Sequence, residues 1–166
     1  MVMSDLHLGH KNIVKYRPGF ATAIDHDNAI VTNMHALLNK RDVLFILGDA
    51  AFSEEGLERI ANVNVAKKIL ILGNHDTERN HISKLVSVFD EIHSLLSYKG
   101  VWLTHAPIHP DELRRKLCVH GHTHSHVLSD SRYANVCVEH TNYGPVDLLQ
   151  VIEQLKAKNP IVTPVK

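Results

Sequence analysis

Five times in this chain a short, mainly apolar run stops abruptly at residues able to bind metal or move protons. Met1–Met3 leads into Ser4-Asp5-Leu6-His7, Val43–Leu47 into Gly48-Asp49, and Ile69–Leu72 into Gly73-Asn74-His75-Asp76. Val101–Thr104 leads into His105-Ala106-Pro107, and Leu117–Val119 into His120-Gly121-His122-Thr123-His124. Apolar runs of this length bounded by turn residues read as buried strands. Polar groups gathered just past strands mark the carboxyl edge of a sheet, where open α/β sheets hold their ligands. The pattern restricts the chain to a layered α/β domain whose site is assembled from several strand ends.

The intervening segments supply the helices. Ile30, Val31, Met34, Leu37 and Leu38 recur at helical spacing behind Asp25 or Asp27 as cap, which leaves His35 off the apolar stripe. Ser53 caps a helix over 54–61, and another helix spans 81–89. Asp147 caps a last helix to Lys158, with Leu148, Leu149, Ile152 and Leu155 turned inward. Lys11–Phe20 is expected as a loop or short helix, and Pro110–Lys116 as a helix with proline in its first turn. Ile92–Ser97 and Val101–Thr104 read as a hairpin across Tyr98-Lys99-Gly100, with further strands at Val127–Leu128 and Ala134–Glu139. Residues 1–158 then form one domain, and 159–166 a frayed tail.

Composition narrows the function. Lysine plus arginine and aspartate plus glutamate both total 18, so the formal charge is zero and an extended nucleic-acid-binding surface is not expected. The two cysteines, Cys118 and Cys137, sit in apolar runs without Cys-x-x-Cys spacing, which reads as buried thiols in a reducing compartment. No run of 18 apolar residues and no signal segment is seen, so a soluble, cytoplasmic protein without membrane contact is expected. The oligomeric state stays open. Fourteen histidines in 166 residues point to metal or acid–base chemistry.

Val-His-Gly-His-Thr-His-Ser-His at 119–126 concentrates that excess. In an extended chain His122 and His124 face one side, and Gly121 lets the backbone approach what they bind. Together with Asp5, His7, Asp49, Asn74 and His105, they make seven candidate ligands. That is too many for one tetrahedral ion and suits two ions sharing a bridging carboxylate. Mixed nitrogen and oxygen donors without thiolate favour manganese, iron, zinc, cobalt or nickel.

Asp5-Leu6-His7, Gly48-Asp49, Gly73-Asn74-His75-Asp76, Thr104-His105-Ala106-Pro107 and Gly121-His122-Thr123-His124 match the calcineurin-like metallophosphoesterase superfamily in content and order. Within it, Ser4-Asp5-Leu6-His7-Leu8-Gly9-His10-Lys11-Asn12-Ile13 resembles the first block of the small bacterial and phage phosphoesterases. The resemblance implies a four-layer α-β-β-α sandwich with two mixed sheets. It implies two divalent metals, manganese foremost. Asp5, His7, Asp49 and His124 would hold the first, and Asp49, Asn74, His105 and His122 the second. A metal-bridging hydroxide would attack phosphorus in line, and His75 would contact the phosphoryl group and protonate the leaving oxygen. Asp76 would orient His75.

Around that set, His10, Asn12, Arg17 and Asn74 are candidate substrate contacts. Arg79 is a further candidate phosphate clamp, and His109, His140 and 139–143 are candidates for the cleft rim. His120 and His126 are left outside the site, and Trp102, Cys118 and Cys137 are read as core.

The second block continues Ala50-Ala51-Phe52 where serine/threonine protein phosphatases of the superfamily carry Asp-Arg-Gly, which argues against that activity. The chain has no room for the extra domains of double-strand-break nucleases or cap-bearing nucleotidases. The expectation is a dinuclear-metal phosphodiesterase for small, nucleotide-derived esters. A phosphomonoesterase is the alternative, followed by a single-strand or RNA nuclease and a non-catalytic metal-binding scaffold.

Overall fold

The computed structural model describes residues 1–160. Four strands form a first sheet in the order β1 (Val2–Met3), β2 (Val43–Ile46), β3 (Lys67–Ile71) and β4 (Glu91–His93), all parallel. An antiparallel bridge from Val2 to Val146 closes the β1 edge and gives the sheet its mixed character. The second sheet runs β5 (Leu96–Tyr98), β6 (Val101–Thr104), β7 (Leu117–His120) and β8 (Tyr133–Asn135). Its first pair is antiparallel and the other two are parallel.

Alternation along continuous apolar strands buries both faces of the first sheet. Leu44, Ile46 and Leu70 meet helices α1 (Ala23–Leu37), α2 (Glu54–Ala61) and α3 (Ile82–Val88) through Ile30, Met34, Leu57, Ile60 and Leu85. Phe45, Leu47, Ile69 and Ile71 turn the other way and meet Val101, Leu103 and Val119 of the second sheet. Helix α4 (Leu148–Lys158) packs along β7 and β8 and adds Leu148, Ile152 and Leu155 to this second core. Trp102 and Cys118 lie in register on the opposite face of the second sheet. The stretch containing the 3-10 turn Pro110–Leu113 contacts that face, with Trp102 Nε1 donating to the Leu113 carbonyl at 3.1 Å. Helices thus cover the outer face of the first sheet, the second sheet packs on its inner face, and the five loops after β1, β2, β3, β6 and β7 open on one edge.

Several local expectations need correction. Helix α1 starts three or five residues early because Thr22, not Asp25 or Asp27, is its cap: the Thr22 hydroxyl accepts from Asp25 N. Leu37 on that helix is 54% exposed and falls outside the apolar stripe, whereas Leu38 packs partly buried against the core. The apolar run 92–97 is two strands, because the chain crosses from one sheet to the other at Ser94-Leu95. Val127–Leu128 forms no strand. The run expected over 134–139 stops at Asn135 and ends in a 3-10 turn, Val138–His140. Of the expected tail, Asn159 is anchored, its side-chain amide donating to the Ser131 and Leu155 carbonyls. Residues 161–166 lie outside the described residues.

Candidate metal centre

Five of the seven expected ligands sit in the left-handed backbone region: Asp5 at φ 58°, His7 at 51°, Asp49 at 50°, His122 at 68° and His124 at 49°. Asparagine, aspartate and histidine tolerate this region better than most residues, yet each such residue costs about 1 kcal/mol or more. Strain repeated at five positions turns five side chains off their strand ends towards one another. Asp5 N donates to the Gly48 carbonyl at 3.0 Å, His7 N to Asp49 O at 2.9 Å and Gly121 N to His105 O at 2.9 Å. These bonds tie four loops together. Gly121 is required here, since a Cβ would collide with the Ser4 hydroxyl and the Asp5 carboxylate. The extended alternation expected for His122 and His124 is absent: both adopt the left-handed turn, and they face different neighbours.

The carboxylates are arranged asymmetrically. Asp5 Oδ2 accepts from Ser4 Oγ at 2.6 Å, His122 N at 2.8 Å and Cys137 Sγ at 3.1 Å. Asp5 Oδ1 is buried with no hydrogen-bond partner. It lies 3.7 Å from His7 Nε2, itself buried and unpartnered, and 3.8 Å from His124 Nε2. Asp49 Oδ1 accepts from His75 N at 2.9 Å, while its Oδ2 stands 3.6 Å from both His7 Nε2 and His105 Nε2. One oxygen of each carboxylate is thus held by the protein and the other is aimed at imidazole nitrogens. Burial opposes ionisation of Asp5, but the adjoining His7 ring and the donors at Oδ2 outweigh it and hold the carboxyl well below its usual range.

The histidine ring bonds suit cation binding. His105 Nδ1 lies 2.8 Å from the Leu47 carbonyl, so it carries the proton and leaves Nε2 with a lone pair. That lone pair faces Asn74 Oδ1 at 3.0 Å and His122 Nδ1 at 3.1 Å. His124 Nδ1 is likewise held by Glu139 Oε1 at 2.9 Å, leaving its Nε2 towards Asp5. Burial lowers the His7 pKa, favouring the neutral ring that a metal needs. The buried, unpartnered Asp5 Oδ1 and His7 Nε2 fit a divalent cation between them. Asp5, His7 and His124 form one candidate ligand group, and Asp5, Asp49 and His105 another.

Behind the ligands lies a support layer that the sequence did not reveal. Arg17 is 3% exposed. Its guanidinium donates to the Asp5 carbonyl at 2.7 Å and to Glu139 Oε1 at 2.9 Å and 2.8 Å, and contacts His26 Nε2 at 2.7 Å. Arg17 is therefore committed to the protein, which corrects its expected role as a substrate clamp. Burial raises the Glu139 pKa, but the His124 hydrogen bond and the Arg17 charge prevail and bring it down to about 2. Cys137 is buried as expected but is more than core packing, since its thiol donates to Asp5. Only the apolar neighbourhood of Cys137 and the polarity of 139–143 hinted at these contacts.

His75 lines a cavity of about 530 Å³ with His7, His10, Phe52, Arg79 and His124. Its Nδ1 lies 2.7 Å from Glu78 Oε2. Glu78, not Asp76, orients the ring. Asp76 is buried, and its carboxylate accepts from the backbone N–H groups of Gly73 at 2.7 Å, Ala50 at 2.9 Å and Asp49 at 3.0 Å. It staples the second and third loops, and its burial pushes the carboxyl pKa up. His10 faces the cavity, but Asn12 does not: it is exposed, with its N–H donating to His10 Nδ1 at 3.1 Å. Arg79 packs over Phe52, its guanidinium carbon 5.4 Å from the ring centre. His109 is exposed on the 3-10 turn, and His140 Nε2 holds the His124 carbonyl at 2.8 Å.

The chain is similar to several known proteins. A protein of unknown function from Aquifex aeolicus has a similar crystal structure, with a TM-score of 0.71, 26% identity, and coverage of 92% of this chain and 96% of that one. An uncharacterized protein of Methanocaldococcus jannaschii is 27% identical over 97% of this chain and 93% of its own. The Gene 66 protein of Mycobacterium phage L5 is 29% identical over 74% of this chain and 75% of its own. The family model for calcineurin-like phosphoesterases matches residues 1–162. With strand-end loops that gather the family's ligand types around buried, unpartnered oxygen and nitrogen atoms, this chain belongs to the calcineurin-like phosphoesterase family.

Proposed function

We propose that this protein is a two-metal phosphodiesterase acting on small, nucleotide-derived esters, with manganese as the working metal. The observation that carries the reading is the position of Asp49 Oδ2, 3.6 Å from His7 Nε2 on one side and from His105 Nε2 on the other. Asp5, His7 and His124 would hold one ion, and Asn74, His105 and His122 the other, with Asp49 between them. When bound, such a pair neutralises phosphoryl oxygens and makes water a nucleophile near neutral pH.

The chain's own groups do the rest. Asp49 is fixed by the His75 amide, so its free oxygen cannot swing away. His75 stands in the cavity with Glu78 on Nδ1, which leaves Nε2 to give a proton to a leaving alkoxide. An alkoxide needs that proton, and this favours an ester of an ordinary alcohol. His10 and Arg79 line the same cavity and would bind the leaving arm.

Metal-free protein reloaded with manganese tests the reading through bis-p-nitrophenyl phosphate against p-nitrophenyl phosphate. A higher kcat/KM for the diester is expected. Preference for the monoester would replace the diesterase with a phosphatase of the same site.

A further inference from the structure

The candidate ligands separate two cavities of nearly equal size, only one of which is lined by aspartate, glutamate, lysine or arginine side chains. The cavity on the His7 and His124 side, about 530 Å³, carries the charged groups Arg17, Arg79 and Glu139 together with His75. A second cavity of about 510 Å³ adjoins Asn74, His105 and His122. Its outer walls are Leu72, Leu95, Ala106 and Ile108, and no aspartate, glutamate, lysine or arginine lines it. Leu95 is 44% exposed there, an apolar side chain left on the groove wall where the chain passes between sheets.

We infer that the second groove receives the ester arm that stays on phosphorus, and that this arm is an uncharged, apolar alcohol group. The inference rests on the diesterase reading and sharpens it to an asymmetric diester. Continuity supplies the first argument: the groove shares three side chains with the metal centre, so a phosphoryl group held there has one arm within reach of Leu95 and Ile108. Chemistry supplies the second. The proton donor His75 lines only the polar cavity, so the departing oxygen lies on that side and the retained arm on the other.

The step balances. A water oxygen bonds to phosphorus and the bond from phosphorus to the leaving oxygen breaks. One water hydrogen stays on the new phosphate oxygen. His75 protonates the leaving oxygen and is restored by the other water hydrogen. The products are a polar alcohol and an apolar phosphomonoester. An apolar wall can reward each buried methylene by up to about fourfold, but it offers no partner to a charged arm.

The test uses manganese-loaded protein and p-nitrophenyl diesters with methyl, butyl or hexyl as the second arm, so that the leaving group is constant. From methyl to butyl, kcat/KM should rise about tenfold or more. Leu95→Asp should cut that ratio below about twofold, whereas Ile24→Asp, at a residue 65% exposed on α1, should preserve it. Hexylphosphonate should also raise Tm more than methylphosphonate does, a readout independent of turnover. Diester turnover without chain-length preference, or a preference that survives Leu95→Asp, would overturn the inference and leave the diesterase standing. Faster hydrolysis of p-nitrophenyl phosphate than of every diester would overturn the diesterase reading instead.

Discussion

At the residue scale, what distinguishes this site is that each reactive atom is exposed by satisfying its neighbour. Asp5 takes three donors on Oδ2 and keeps Oδ1 bare. His75 shows the same logic through Glu78. His75→Ala is expected to lower kcat for an alkyl diester by about 10²–10⁴-fold, the usual worth of a positioned acid, and to matter less for p-nitrophenolate as leaving group. Glu78→Gln should have a smaller effect on kcat, since it weakens only the contact that orients the ring. Glu139 gives a prediction about stability. Its folded pKa is depressed to about 2, so its contribution is fully present above about 4.5 and is lost as pH falls between those values. In metal-free protein, Glu139→Gln should reduce stability at pH 7 by up to roughly 3 kcal/mol. Urea unfolding from pH 5 to pH 2 should also show a shallower acid loss than the parent.

At the scale of elements, helix α1 does more than cover the first sheet. Asp27 accepts from Gly9 N at 2.8 Å through one oxygen and holds His26 Nδ1 at 2.9 Å through the other. His26 in turn contacts Arg17, which grips the Asp5 carbonyl. A chain of polar contacts thus joins the start of α1 to the first ligand loop, all of it buried and matched. Asp27→Ala leaves the Gly9 N–H and the His26 ring without this partner and should cost about 1–3 kcal/mol. Thermal unfolding measures it, and an unchanged Tm would mean that the helix does not brace the loop. The loops themselves depend on their strands being parallel and adjacent, because β1, β2 and β3 then deliver Asp5, Asp49 and Asn74 to the same edge.

For the whole molecule, two cores divide the labour. One fastens helices to the first sheet and the other fastens the two sheets together, and the centre lies where loops of both sheets meet. Asp5 and Asp49 from the first sheet face His105, His122 and His124 from the second. Cations bound there would link the halves and favour the folded state by mass action. Manganese at about a hundred times its Kd should add about 2.7 kcal/mol per site, which for a domain of this size means Tm higher by about 5–10 °C. Differential scanning calorimetry of chelator-treated and reloaded protein reads this directly. Asp49→Asn should shrink the increment. No described helix is long and apolar enough to cross a membrane.

Sequence by itself determined that Asp5, Asp49, Asn74, His105 and His122 follow strands, and that a glycine at 121 permits a close backbone approach. These are local matters: an apolar run, a tight turn and a donor atom can each be recognised within a few residues. Tertiary structure alone decided which polar residues are working groups and which are braces. Arg17 and Asp76 had the right chemistry for substrate and for His75, but burial places them against main-chain groups, and Glu78 and Glu139 stand beside the histidines instead. A hydrogen bond between residues 122 apart, such as Arg17 to Glu139, has no signature in either segment. The two-sidedness of the site has the same origin. Leu95 reads as one more apolar residue in a strand until the chain changes sheets there and leaves it on the wall of a groove.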